Sequence, residues 1–230
     1  MLADDQQGVL LHAIYDTFSN WSCRFSFACH KGCATCCTQS VTMTTLEGQG
    51  IRTYLAAQGR IAELAGPAFL PSLAERSIRL TTNGFVAAHL RGEEVEEPAE
   101  WDLRPCPFLA DNACTIYAVR PFGCRLFASL TPCAESGAAD MPPGYLTAST
   151  ILLQYIEHLN QNGRWGTLVE ILGGLAGEGR ADGFGVPTAP IPGFLMAPEE
   201  RRVVEPLIDD LFQQEINGKR FDQWLAGARP

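Results

Sequence analysis

Four thiols crowd into nine residues at Cys29-His30-Lys31-Gly32-Cys33-Ala34-Thr35-Cys36-Cys37. Free cysteines normally sit singly as small hydrophobes, so core packing does not account for such a run. Cys33 and Cys36 are separated by two residues, a spacing that turns both sulfurs toward one metal while backbone amides face the thiolates. Gly32 supplies the permissive backbone that such a turn uses. Four further cysteines, Cys106, Cys114, Cys124 and Cys133, follow with gaps of seven, nine and eight residues. That spacing matches no standard zinc finger. Its weight comes from Pro105, Pro107, Pro121 and Gly123, which fix backbone turns around these thiols.

The chain has nine cysteines, an odd number that excludes complete internal pairing. It opens on Met1-Leu2-Ala3-Asp4-Asp5, acidic where a secretory signal would be basic. No apolar run approaches the ~18 residues needed to cross a bilayer. The expected compartment is therefore the reducing cytoplasm, where clustered cysteines serve metal or redox chemistry rather than disulfides. Seventeen Lys and Arg against 26 Asp and Glu give a net charge of −9. That excess of negative charge argues against nucleic acid and anionic membranes as partners. With 46% apolar and 19% charged residues, a chain of 230 is long enough to bury one sizeable core.

The elements that must position the thiols read as mainly α. Leu2 to Ser19 is amphipathic, with Val9, Leu10, Ala13, Ile14 and Phe18 at helical spacing. Thr44-Thr45-Leu46-Glu47 forms a capping box that opens a helix to about Gln58, stopped at Gly59. Ser72-Leu73-Ala74-Glu75 offers a second box for a helix to Gly92, with Asn83-Gly84 as a breaking point. Glu93 to Glu100 is an acidic loop. Tyr145 to Leu159 is a strong helix, Trp165 to Leu175 a short one, and Gly173 to Pro198 a glycine- and proline-rich loop. Glu199 to Ile216 is the last helix, with Pro206 as a kink. The expected architecture is a small helical domain with two irregular Cys-rich metal-binding loops. Residues 1–140 form the cysteine-cluster part, and residues 141–230 a helical extension packed on it as one structural unit.

These motifs resemble those of the CxxCxxCC cysteine-cluster proteins, also called the YkgJ family, described as zinc- or iron-chelating domains. In that family a C-x-x-C-x-x-C-C run precedes a threonine and glutamate that open a helix. C-P-[FL]-L, then C-x-[IV]-Y-x-x-R-P-x-x-C-R, then a final cysteine follow. This chain has Cys33-x-x-Cys36-Cys37, Thr45 and Glu47, and Cys106-Pro107-Phe108-Leu109. It continues with Cys114-Thr115-Ile116-Tyr117-Ala118-Val119-Arg120-Pro121-Phe122-Gly123-Cys124-Arg125, and Cys133 fits the last position. The resemblance spans roughly residues 23 to 133. Cys29 departs from it, separated from Cys33 by three residues instead of two, and Cys23 falls outside the set of eight. The resemblance implies metal ligation by Cys29, Cys33, Cys36, Cys37, Cys106, Cys114, Cys124 and Cys133.

Eight thiols exceed what one tetrahedral zinc takes. They suit two zinc ions, or one four-iron cluster with four thiols to spare. Neighbouring side chains point apart, so Cys36 and Cys37 serve two metals, or one metal and the core. Soft thiolates select zinc, Cu(I) or iron–sulfur. The expectation is an iron–sulfur cluster of the 4Fe-4S type, with zinc as the alternative. Four residues are expected to support the site: Glu47, Tyr117, Arg120 and Arg125. Arg120 and Arg125 flank Cys124, where they bond sulfur and nearby carbonyls, or form an ion pair with Glu47 or Asp111. Glu47 doubles as a helix cap. Tyr117 and Phe108 pack over the site and exclude water. His30 lies among the thiols but is not needed as a ligand; His12, His89 and His158 read as structural or exposed.

Other chemistry is set aside. Gly173-Gly174-Leu175-Ala176-Gly177 follows no strand, so it is no dinucleotide loop, and there is no P-loop, nucleophile elbow or H-E-x-x-H helix. Cys29-x-x-x-Cys33-x-x-Cys36 has the spacing of radical S-adenosylmethionine enzymes, but 230 mostly helical residues cannot supply their barrel. The leading function is metal-cluster binding in a redox or carrier role. The alternatives are a zinc-stabilised interaction module and a cluster-dependent enzyme resembling flagellin lysine N-methylase, a family with a similar cysteine region. The sequence names no catalytic residue and no protein partner.

Overall fold

The computed structural model describes residues 4–69, 79–95, 102–177 and 184–225. Most of the regular structure in these residues is helical. Helix α1 (Asp4–Ser22) places Leu10, Leu11, Ile14, Phe18 and Trp21 on its buried face. Strand β1 (Thr42–Thr44) runs straight into α2 (Thr45–Ala57). The capping box at that junction forms as the sequence predicts. Thr44 accepts from the Glu47 N–H while the Glu47 carboxylate accepts from the Thr44 N–H. The helix ends at Gln58, and Gly59 follows with φ +69°.

Helix α3 (Thr82–Leu90) begins where the sequence suggested a break. Thr81 caps it by accepting from Gly84, so Asn83-Gly84 sits in the first turn of a helix instead of interrupting one. The second predicted capping box, Ser72 to Glu75, lies outside the described residues, as does part of the acidic stretch. The hairpin β2 (Leu109–Ala110) and β3 (Ala113–Cys114) turns through Asp111 and Asn112, at φ 50° and 57°. Positive φ at both central residues is the type I′ geometry that suits two-residue hairpins. Two short helices follow, α4 (Phe122–Leu126) and α5 (Cys133–Ser136), then α6 (Tyr145–Leu159).

Trp165 corrects a sequence expectation. It lies in strand β4 (Arg164–Thr167), not in a helix, because β1 offers a ladder with Met43 opposite Gly166 and Thr44 opposite Trp165. Helix α7 (Leu168–Ala176) starts only after Thr167 caps it. Its Gly173 and Gly174 face the Phe69 carbonyl and the Phe184 ring too closely for a side chain, so the glycine run serves packing. Strand β5 (Val186–Pro187) pairs with β4. Helix α8 (Arg201–Phe212) contains Pro206 and stops at Phe212, four residues short of the expected end. The chain there turns into the hairpin β6 (Glu215–Ile216) and β7 (Lys219–Arg220), with Asn217 and Gly218 at positive φ, then into α9 (Phe221–Trp224).

Two apolar cores result. The larger gathers α1, α6 and α8 with Phe122, Leu126 and Phe221. The smaller joins Met43, Ile51 and Leu55 to Leu168, Ile171 and Leu172, and reaches Phe108 and Ile116 beside the second group of cysteines. Among the described residues, no helix is long and apolar enough to cross a membrane.

Candidate metal centre

The two cysteine-bearing stretches meet along their backbones. The Cys106 N–H donates to the Cys37 carbonyl at 2.9 Å, and the Gln39 N–H donates to the Arg104 carbonyl at 2.9 Å. Thr38 bridges to Pro105 between them. On the other side, the Ala28 N–H donates to the Ser129 carbonyl at 2.8 Å, which lays the start of the first cluster along the segment leading to Cys133.

Local turns present the individual thiols. The Cys33 N–H closes a four-residue turn onto His30, with Gly32 at φ +95° as the sequence predicts for that position. The Cys37 N–H closes a second turn onto Ala34. Leu109 N–H returns to the Cys106 carbonyl, and the hairpin then sets Cys114 opposite Leu109. Cys124 rides on α4, one residue after Gly123. A β-carbon on Gly123 would stand 2.5 Å from the Thr42 carbonyl oxygen, so glycine is what lets α4 lie against β1.

The thiols perturb one another. Cys36 and Cys37 share a hydrogen bond that pushes Cys36 far up and holds Cys37 down, so Cys37 is the member that ionises first. Burial, then the charges of Cys106 and Cys114, drive Cys124 well above the usual thiol range, with Arg120 pulling the other way. Burial also raises Cys106 and Cys29; Cys33, Cys36 and Cys133 add to the effect on Cys29. Cys29 and Cys36 are exposed, while Cys33, Cys37, Cys106, Cys114, Cys124 and Cys133 are half-buried. Cys23, outside the set, is exposed at the end of α1. Among the described residues, no three His, Cys, Asp or Glu side chains already converge on one ion position. The donor set nevertheless fits a soft metal: the grouped side chains are all thiols, and repulsion from neighbouring thiols adds to burial in raising Cys29, Cys106 and Cys124. A bound cation removes that repulsion.

The four supporting residues divide. Glu47 is only 3% exposed. Its Oε1 accepts from the Tyr15 hydroxyl at 2.8 Å and from the Phe122 N–H at 2.7 Å. Its Oε2 accepts from the Thr44 N–H and hydroxyl, at 2.8 and 2.9 Å. It is thus a cap and also a clamp on the start of α4. The ion pairs of the described residues do not involve Glu47, Arg120 or Arg125. Arg125 instead donates to the Arg120 and Ala118 carbonyls and lies over the Tyr15 ring at 4.3 Å. Arg120 lies over the Tyr117 ring at 4.0 Å, and its Nε is buried without a hydrogen-bond partner. Tyr117 itself is 61% exposed, so it does not seal the site as expected; Phe108 is buried in the smaller core.

Three positioning features were missed in the sequence. Nothing in the spacing on α1 singles out Tyr15, and only the fold reveals its hydroxyl meeting Glu47. Arg60 donates to the Thr115 carbonyl and hydroxyl at 3.2 and 3.1 Å, anchoring the residue after Cys114 to the end of α2. Tyr145 stands in a nest of Phe18, Trp21, Phe25 and Phe27, and burial raises its phenol, with Cys29 next in effect. His30 is exposed, with its Nδ1 3.0 Å from the Ala28 carbonyl.

Two cysteine-bearing stretches paired along their backbones define a cysteine-cluster protein. The chain belongs to the CxxCxxCC family, whose model is described as a putative zinc- or iron-chelating domain and matches residues 28–143. No curated protein and no solved structure matches the chain.

Proposed function

We propose that this protein holds metal through Cys29, Cys33, Cys36, Cys37, Cys106, Cys114, Cys124 and Cys133, with iron in an iron–sulfur cluster as the occupant. The observation that carries this reading is the bond from the Cys106 N–H to the Cys37 carbonyl. It joins two thiol-bearing stretches that are far apart in sequence, and all eight candidate ligands are thiols. Such a thiolate set suits clusters, which take four Cys ligands each. Arg120 supplies a positive charge beside Cys36 and Cys124, and so favours their ionised, metal-binding forms. A bound cluster would supply one-electron chemistry, and a reducing compartment would keep the thiols free to hold it.

The test is metal and acid-labile sulfide content of anaerobically purified protein, with its visible spectrum. Iron and sulfide in equal amounts with a broad band near about 400 nm are the expected result. Stoichiometric zinc without sulfide or colour replaces the cluster with a structural zinc reading. Protein that takes up neither metal overturns the assignment.

A further inference from the structure

We propose that the eight thiols form two separate four-thiol sites: an inner one of Cys37, Cys106, Cys114 and Cys124, and an outer one of Cys29, Cys33, Cys36 and Cys133. This rests on the metal-chelating reading above and adds how many centres there are and which thiols serve each.

The backbone makes the division. Cys37 and Cys106 are joined by a main-chain bond, and Cys106, its turn and the β2–β3 hairpin carry Cys114 beside them. Gly123 seats α4, and with it Cys124, against β1. Cys106 and Cys114 pack on the smaller apolar core. The outer set is built elsewhere. Ala28 pairs with Ser129, bringing Cys29 toward α5, which Cys133 opens. Tyr145 and its aromatic neighbours, not the smaller core, flank Cys29.

Electrostatic neighbourhoods follow the same line except at Cys36, whose charge also acts on Cys124. Cys37 is acted on by Cys124, Cys106 and Cys114, and Cys29 by Cys33, Cys36 and Cys133. The sets touch at Cys36–Cys37, whose thiols share a hydrogen bond, so one dipeptide feeds both. The sites also differ in access. The outer set includes both exposed members, Cys29 and Cys36, while every inner thiol is half-buried. Metal in the outer site therefore exchanges with small chelators before metal in the inner one.

Cadmium is a suitable probe, because it binds thiolates and each site can be observed by NMR. The full chain, reduced and anaerobic, is titrated with Cd²⁺ and followed by native mass spectrometry and ¹¹³Cd NMR. Two Cd²⁺ per chain with two resonances are expected. Cys114→Ser and Cys133→Ser should each bind one and lose different resonances. EDTA should remove the resonance lost in Cys133→Ser first. Should Cys114→Ser lose its helical circular dichroism, the exposed Cys29→Ser carries the test, predicted to lose the same resonance as Cys133→Ser. One Cd²⁺ in the wild type, or both resonances lost in a folded single variant, overturns the two-site assignment. A wild type that binds no Cd²⁺ instead overturns the metal-chelating reading itself.

Discussion

The Glu47 carboxylate accepts the backbone N–H of Phe122 at 2.7 Å across 75 residues of chain, while its other oxygen caps its own helix. One buried side chain thus fixes the start of α2 and the start of the helix that carries Cys124. Glu47→Gln turns an amide N–H₂ toward donors that need an acceptor. A charged, buried hydrogen bond contributes about 1.5–3 kcal/mol, so a loss of that size is expected in urea unfolding. Tyr15→Phe removes a single donor and should cost less. In folded Glu47→Gln, Cys124 should react faster with a thiol reagent than in the wild type; an unchanged rate would show that Glu47 supports the fold without positioning that thiol.

Gly123→Ala should be destabilising by about 1–3 kcal/mol, the usual range for overpacking. The new methyl would meet the Thr42 carbonyl, a backbone atom that cannot swing aside. Gly50→Ala is the control. Gly50 is an exposed position in α2 with nothing within 4 Å of a β-carbon, so alanine should stabilise by about 0.5–1 kcal/mol. Thermal melts of the two variants should move in opposite directions.

Glu157 supplies a pH dependence. Burial pushes its carboxyl above the ordinary 4.5, against hydrogen bonds from Thr81, Asn83 and Ala189 that favour the ionised form. A carboxyl whose folded pKa is raised binds its proton more tightly in the folded state. Its contribution is therefore complete below about pH 4.5 and declines as pH rises through the raised value. The stability of the wild type relative to Glu157→Gln should fall across that window, read from urea midpoints from pH 4 to 7. A difference that stays flat or grows would refute the assignment.

Metal loading should raise the melting temperature, because a ligand bound only by the folded chain stabilises it. Free metal at 100 times its dissociation constant contributes about 2.7 kcal/mol per site. Circular dichroism melts before and after chelation measure this directly. Equal melts would indicate that the thiols are not organised by metal.

Much of the helical frame was legible because its signals are local. The capping box at Thr44 and Glu47, the periodicity of Tyr145–Leu159 and the glycine at the Cys33 turn each depend on a few neighbouring residues. Trp165 was misread because an apolar run of that length suits helix and strand alike, and the deciding partner, β1, lies over 120 residues away. Ile216 was placed in a helix by the apolar run of α8, although Asn217-Gly218 is itself a local hairpin signal. The cysteines announced themselves by type and spacing. Their grouping did not, since it depends on main-chain pairings such as Cys37 with Cys106 and Ala28 with Ser129. The roles of Tyr15 and Arg60 were hidden for the same reason.

The pairing of Cys37 with Cys106 also sets an order in time. On the ribosome, Cys29, Cys33, Cys36 and Cys37 are made together, and Cys133 only ninety-six positions after Cys37. At about 5–20 residues per second, the first thiols wait roughly 5 to 20 s for the last of their partners. A nascent chain early in that interval offers half of the proposed donor set, held by a segment whose backbone partners, Pro105 and Cys106, do not yet exist. On the proposed ligand set, complete loading follows the synthesis of Cys133, and the early thiols depend on the reducing power of their surroundings until then.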